Sequence, residues 1–148
     1  MKLAPAKPRD AHALGRIMAA WIDEAPYMPK IHTPEADEQY LMRLITDAEV
    51  LTLRSWRGPQ GFMARDGAII HALYLAPGAR SLGWGKKMLD HAKTASPELS
   101  LWLFQANTRA RAFYAREGFA EVELTDGEGN DEKVPDVRLV WTRQRAKR

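Results

Sequence analysis

The segment Arg80-Ser81-Leu82-Gly83-Trp84-Gly85-Lys86-Lys87 has the make-up of an anion-binding loop. It follows a strand-like run and opens a helical one. The free N–H groups of a helix start and a dipole of about +0.5 charge would therefore meet there. Gly83 and Gly85 let backbone amides approach a ligand without a Cβ in the way. Arg80, Lys86 and Lys87 bring positive charge alongside. The loop is not the G-x-x-x-x-G-K-[ST] of a P-loop, and its G-x-G-x-x-G is incomplete for a dinucleotide fingerprint. Taken alone, a glycine-relieved turn with solvated lysines accounts for it equally well. Other chemistry is closed off. The chain has no cysteine, which removes disulfides, thiolate nucleophiles and Cys-ligated zinc. Its histidines nowhere fall at metal-ligand spacing, so no metal is expected.

Charge is segregated along the chain. Residues 1–78 are balanced, with nine basic and nine acidic side chains. Residues 79–116 carry seven basic side chains against Asp90 and Glu98, a balance of +5. Residues 117–137 carry eight acids against Lys133, or −7, and the tail from Arg138 has five basic residues and no acid. A basic middle calls for an anionic partner.

These residues need a scaffold, and 148 residues, 45% of them apolar, are enough for one core. We expect a single domain over 1–148. No run approaches the ~18 apolar residues of a membrane helix. Met1-Lys2-Leu3-Ala4-Pro5 lacks the apolar stretch of a secretory signal, so a cytoplasmic protein with no membrane partner is expected. A short strand is predicted at 3–6. Asp10 is predicted to cap a helix with Leu14, Ile17, Met18 and Trp21 on its apolar face. Three prolines between Glu24 and Pro34 predict an irregular loop. Thr33-Pro34 reads as an N-cap followed by proline at the first helical position. Its helix would run through Tyr40, Leu41, Leu44 and Ile45. Strand-like runs at 50–56, 61–65 and 68–75, separated by Arg57-Gly58-Pro59 and Asp66-Gly67, predict an antiparallel meander. A helix with Trp84, Met88, Ala92 and Ala95 on one face follows. Then come a strand at 99–104, a helix at 108–116 stopped by Gly118, and strands at 119–124 and 137–141. The order predicts an α/β or α+β domain, a sheet covered by helices.

Placed on these elements, the motifs resemble the GNAT superfamily of acyl-CoA-dependent N-acetyltransferases. That family carries [Q/R]-x-x-G-x-[G/A] between its fourth strand and third helix, here Arg80-Ser81-Leu82-Gly83-Trp84-Gly85. The strand before it ends in an apolar triplet ahead of a proline, here Leu73-Tyr74-Leu75-Ala76-Pro77. Downstream, N-x-x-A-x-x-[FL]-Y-x-x-x-G-F is matched in full from Asn107 to Phe119. The resemblance implies a mixed, mostly antiparallel sheet of six to seven strands, flanked by about four helices, with its fourth and fifth strands splayed. It implies acetyl-CoA as cofactor, with the pyrophosphate on the amides from Ser81 to Lys86. The pantetheine arm would add to the edge of Leu73-Tyr74-Leu75. Arg80, Lys86, Lys87 and Arg111 are candidates for the 3′-phosphate.

The resemblance further implies transfer of an acetyl group to a primary amine of a small molecule or peptide. Tyr114 holds the family's proton-donor position; an ordinary phenol, with a pKa near 10, is protonated at neutral pH. The competing reading is a core aromatic beside Phe113. Asn107 resembles the cofactor-contacting asparagine and also fits an ordinary helix N-cap. The general base does not carry over, because Ile69 and Trp102 stand where members place a glutamate. His71 lies two residues from Ile69, and strand alternation would put both on one face. An imidazole suits a base near neutrality. A partly buried structural histidine, an acidic residue from Asp23 and Glu24, or a water relay stay open. The acceptor pocket would draw on Glu24, Tyr27 and Met28, with Trp21, His32 and Tyr40 nearby. Family analogy also allows a homodimer. Three alternatives stand beside this reading: another acyl-CoA such as succinyl-CoA, a non-catalytic CoA-binding protein of the same fold, and a nucleic-acid-binding module. The last would draw on the basic middle and Arg143-Gln144-Arg145-Ala146-Lys147-Arg148. The −7 stretch speaks against it, so no nucleic-acid partner is expected.

Overall fold

A computed structural model describes residues 1–143; the basic run at 144–148 lies outside the described residues. The strands are β1 (Lys2–Pro5), β2 (Glu49–Ser55), β3 (Gly58–Asp66), β4 (Ile69–Leu75), β5 (Glu98–Phe104), β6 (Ala120–Leu124) and β7 (Asp136–Thr142). The helices are α1 (Ala11–Glu24), α2 (Pro34–Asp47), α3 (Trp84–Ala95) and α4 (Thr108–Arg116). The strands form one sheet in the order β1-β2-β3-β4-β5-β7-β6. Every pairing is antiparallel except β4 with β5.

Local chemistry accounts for most boundaries. Thr33 caps α2, its Oγ1 accepting from the Ala36 amide at 3.1 Å, and Pro34 fills the first helical position. Asp10 precedes α1 as expected but does not cap it. It ends a 3-10 turn in helical conformation, so its carboxylate points back to accept from the Lys7 amide at 2.8 Å. The first hairpin is tighter than expected: Trp56 and Arg57 make the connection, and β3 already begins at Gly58.

The two faces bury different helices. On one, Ala11, Leu14 and Met18 of α1 and Leu41 and Leu44 of α2 pack on Val50, Phe62, Ala64 and Ala72. On the other, Met88, Leu89 and Ala92 of α3 and Tyr114 of α4 pack on Leu51, Leu53, Met63, Leu99, Leu101 and Leu139. The buried stripe of α3 therefore includes Leu89, while Ala95, at the helix end, is exposed. Among the described residues no helix is long and apolar enough to cross a membrane, and no group of side chains could hold a metal ion.

Candidate active site

The sheet opens in the middle. β4 and β5 are joined at a single pair, Ile69 with Ser100, and the Ser100 amide donates to the Ala68 carbonyl at 2.8 Å. Beyond that pair the strands part. The C-terminal half of β4 keeps its ladder with β3 on one side only. On the other side lies a cleft of about 730 Å³, lined by β4 from Ile70 to Leu75, β5 from Leu101 to Phe104, the start of α3, one side of α4, and Trp21, Glu24 and Tyr27.

The loop expected to hold an anion borders this cleft. Gly83 takes φ +87°, and a Cβ built there would meet nothing within 4 Å, so the space beside its backbone is open. Lys87 makes the first bond of α3, donating to the Gly83 carbonyl at 3.1 Å. The amides just ahead of it have no partner within the helix. Ser81, Gly83, Gly85 and Lys86 line the cleft, whereas Leu82 and Trp84 do not. Leu82 is exposed, and Trp84 packs toward the core with the Lys87 ammonium 4.3 Å over its ring. Arg80 and Lys86 are already engaged. Arg80 Nε donates to the Leu75 carbonyl at 2.9 Å, and its guanidinium bonds Glu24 at 2.8 Å. Lys86 Nζ lies 3.4 Å from both Asp90 and Glu117, whose charges raise its pKa. Arg111 holds Glu121 in a fork at 2.8 and 2.7 Å.

Tyr114 reaches the cleft from α4, its ring edge-on to Phe113 at 5.1 Å and Phe119 at 5.2 Å. Its hydroxyl has no hydrogen-bond partner among the described residues. Burial pushes its pKa well above the ordinary phenol value, and the neighbouring Tyr74 adds to this. Core packing and a free hydroxyl thus coexist in one residue. Asn107 is the N-cap of α4, with Oδ1 accepting from the Ala110 amide at 3.2 Å, and it lines the cleft as well.

His71 also lines the cleft and is exposed, but the alternation expected around it is broken. The β3–β4 register shifts between Ala64 and Arg65, so Ala64 faces Ala72 while Arg65 faces Ile70. His71 is the extra residue of a β-bulge. Ile70 and Ala72, two apart, consequently pack into opposite cores, and sharing a face with Ile69 does not follow from spacing.

Five aromatic side chains, Trp21, Tyr27, Tyr74, Trp102 and Phe104, also line the cleft. Trp21 lies 5.5 Å from Tyr74, and Tyr27 lies 6.3 Å from Phe104. Burial raises the pKa of Tyr27 and Tyr74. Met28 does not line this cleft, and His32 sits outside it, 4.0 Å from Glu132. Sequence reading missed Arg109 and Phe104. Phe104 alternates with Leu103 along β5, which is the signal that it faces away from the α3–α4 core. Arg109 stands at an unconstrained position of the Asn107–Phe119 motif and gives no such signal.

Residues 40–121 match a family model described as Acetyltransferase (GNAT) domain. The chain is 31% identical over 83 residues to the peptidyl-lysine N-acetyltransferase YjaB of Salmonella typhimurium, covering 56% of this chain and 57% of that protein. The Escherichia coli protein of the same name is 36% identical over 83 residues, covering 56% of each. The chain thus spans just over half the length of these curated relatives. The solution structure of apo YjaB from Escherichia coli superposes with a TM-score of 0.78 at 21% identity, covering 95% of this chain and 96% of that one. At that identity the likeness speaks for the fold.

Proposed function

Since the chain belongs to the GNAT acetyltransferase family, we propose that it is a single N-acetyltransferase domain that uses acetyl-CoA to acetylate a primary amine. The observation that carries this reading is the β4–β5 opening, a cleft lined by the start of α3, by Tyr114 and by a cluster of aromatic side chains.

The residues present fit the cofactor. A Cβ at Gly83 would point into open space, and the amides leading into α3 suit the pyrophosphate. The edge of β4 at Leu73, Tyr74 and Leu75 is free of β5 and suits the amides of a pantetheine arm. Bound acetyl-CoA supplies an activated thioester carbonyl and a thiolate leaving group.

The chain's own groups handle the protons. Tyr114, its phenol kept protonated by burial, donates from Oη toward the leaving sulfur. His71 Nδ1 or Nε2, on the exposed bulge lining the cleft, accepts the proton of the attacking amine. Asn107 uses Oδ1 for the helix cap, which leaves its NH₂ to hold the cofactor near α4. The walls formed by Trp21, Tyr27, Tyr74 and Phe104 suit an aliphatic stem ending in an ammonium. A lysine side chain in a peptide has that form, as do small alkyl amines. The names of the curated relatives support the peptide.

Thiol release measured with acetyl-CoA and lysine-containing peptides, with mass spectrometry of the product, tests the reading. Acetylated lysine is expected. Cofactor binding without turnover on any amine would leave the non-catalytic alternative in its place.

A further inference from the structure

The cofactor carries a diphosphate and a 3′-phosphate, and most cations near the loop are not available to meet them. Arg80 is held by Glu24, Lys86 by Asp90 and Glu117, and Arg111 by Glu121. Lys87 lies over Trp84 and does not line the cleft. Arg116 also lines the cleft without a carboxylate partner among the described residues, but it ends α4 and makes no bond to the loop before α3. Arg109 differs from all of these in its contact with that loop. It lines the cleft, is exposed, and has no carboxylate partner among the described residues. Its guanidinium donates to the neutral Ser81 hydroxyl at 3.0 Å.

Two local features make that placement costly without a ligand. Arg109 sits in the first turn of α4, where the helix dipole disfavours a cation. Ser81 adopts φ +62°, a left-handed conformation uncommon outside glycine, at the entrance to the α3 amides. An anion seated on those amides would offset the first cost and give the second a purpose. A guanidinium has five N–H donors, so the bond to Ser81 leaves several for a phosphate oxygen pair.

We propose that Arg109, oriented by Ser81, is the phosphate-binding cation of the cofactor site, closing from α4 over an anion cradled by the start of α3. This rests on the acyl-CoA reading above. Titration calorimetry of the full chain with CoA and with 3′-dephospho-CoA, together with melting of the ligand-free protein, tests it. Arg109→Gln should weaken CoA binding about 10- to 100-fold, the range for hydrogen bonds to charged groups. Its ligand-free melting temperature should be unchanged or slightly raised. Arg109→Lys should fall between, since it keeps the charge and loses the fork. If the penalty vanishes with 3′-dephospho-CoA, the partner is the 3′-phosphate; if it persists, the partner is the diphosphate. Wild-type affinity in Arg109→Gln overturns the assignment while leaving the acyl-CoA reading intact. So does weakened binding accompanied by a lower ligand-free melting temperature. Failure of the wild-type chain to bind CoA overturns both.

Discussion

A phenol whose hydroxyl no neighbour holds is free to direct its proton at a bound ligand. Tyr114 meets that condition: its ring is locked between Phe113 and Phe119, while its hydroxyl has no partner among the described residues. Tyr114→Phe should therefore leave the fold and CoA affinity nearly untouched and lower kcat by about 10²- to 10⁴-fold, the usual range for a lost general acid. Because burial raises the pKa, the proton stays on through neutral and mildly alkaline pH. The wild-type rate should show no fall assignable to Tyr114 below about pH 10, the ordinary phenol value. A kcat unchanged in Tyr114→Phe would remove the donor role. His71 is tested from the other side of the profile. As the base, it must be neutral to accept a proton, so His71→Ala should move the acid limb of activity to higher pH. An unshifted limb would assign that step to water.

The element on which the proposal turns is β4, and its position depends on a close approach from β3. A Cβ on Gly61 would lie 2.5 Å from Leu75 Cδ2 and 2.8 Å from the Tyr74 carbonyl oxygen. Those two residues form part of the free edge beside the cleft, and the Leu75 carbonyl also anchors Arg80. Gly61→Ala should push this end of β4 toward the cleft. It should cost about 1–3 kcal/mol in urea unfolding, as overpacking does, and weaken CoA binding alongside. A loss of stability with full CoA affinity would show that the edge tolerates the shift. The sequence carried local signals well: Thr33-Pro34 marks the start of α2, Asp66-Gly67 the β3–β4 turn, and the Asn107–Phe119 motif the whole of α4. What it did not carry are features made between elements. The bulge that moves His71 out of alternation exists only in the β3–β4 register. The engagement of Arg80 by Glu24 joins residues 56 apart in the chain. Arg109 meets Ser81 only once α4 lies beside the start of α3. A one-dimensional pattern reports periods and caps; it has no access to which charge a folded neighbour has already neutralised.

For the whole molecule, the basic middle and the acidic stretch after it are not independent patches. Lys86 and Lys93 lie against Glu117, and Arg111 lies against Glu121, so much of the +5 stretch faces the −7 stretch across α3, α4 and β6. This leaves anion recognition a local matter and makes paired carboxylates a source of pH-dependent stability. Asp10 is the most enclosed of the paired carboxylates. Burial by itself would raise its pKa, but the Arg54 fork at 3.0 and 3.1 Å and the Lys7 amide outweigh that and hold it below the ordinary value. The pair ties the approach to α1 to β2. A depressed carboxylate contributes its stability above the unfolded pKa, about 3.9, and loses it as pH falls through the folded value. Arg54→Gln should therefore lower stability at pH 7 by on the order of 2 kcal/mol, since it leaves a buried charge without its partner. In urea titrations carried from pH 7 downward, the gap between wild type and variant should hold near neutrality, begin to close as the variant's Asp10, no longer held down by Arg54, takes up its proton, and vanish once the wild-type Asp10 is protonated as well. A gap that stays constant into the acid range would mean that Arg54 acts through packing of its side chain rather than through its charge.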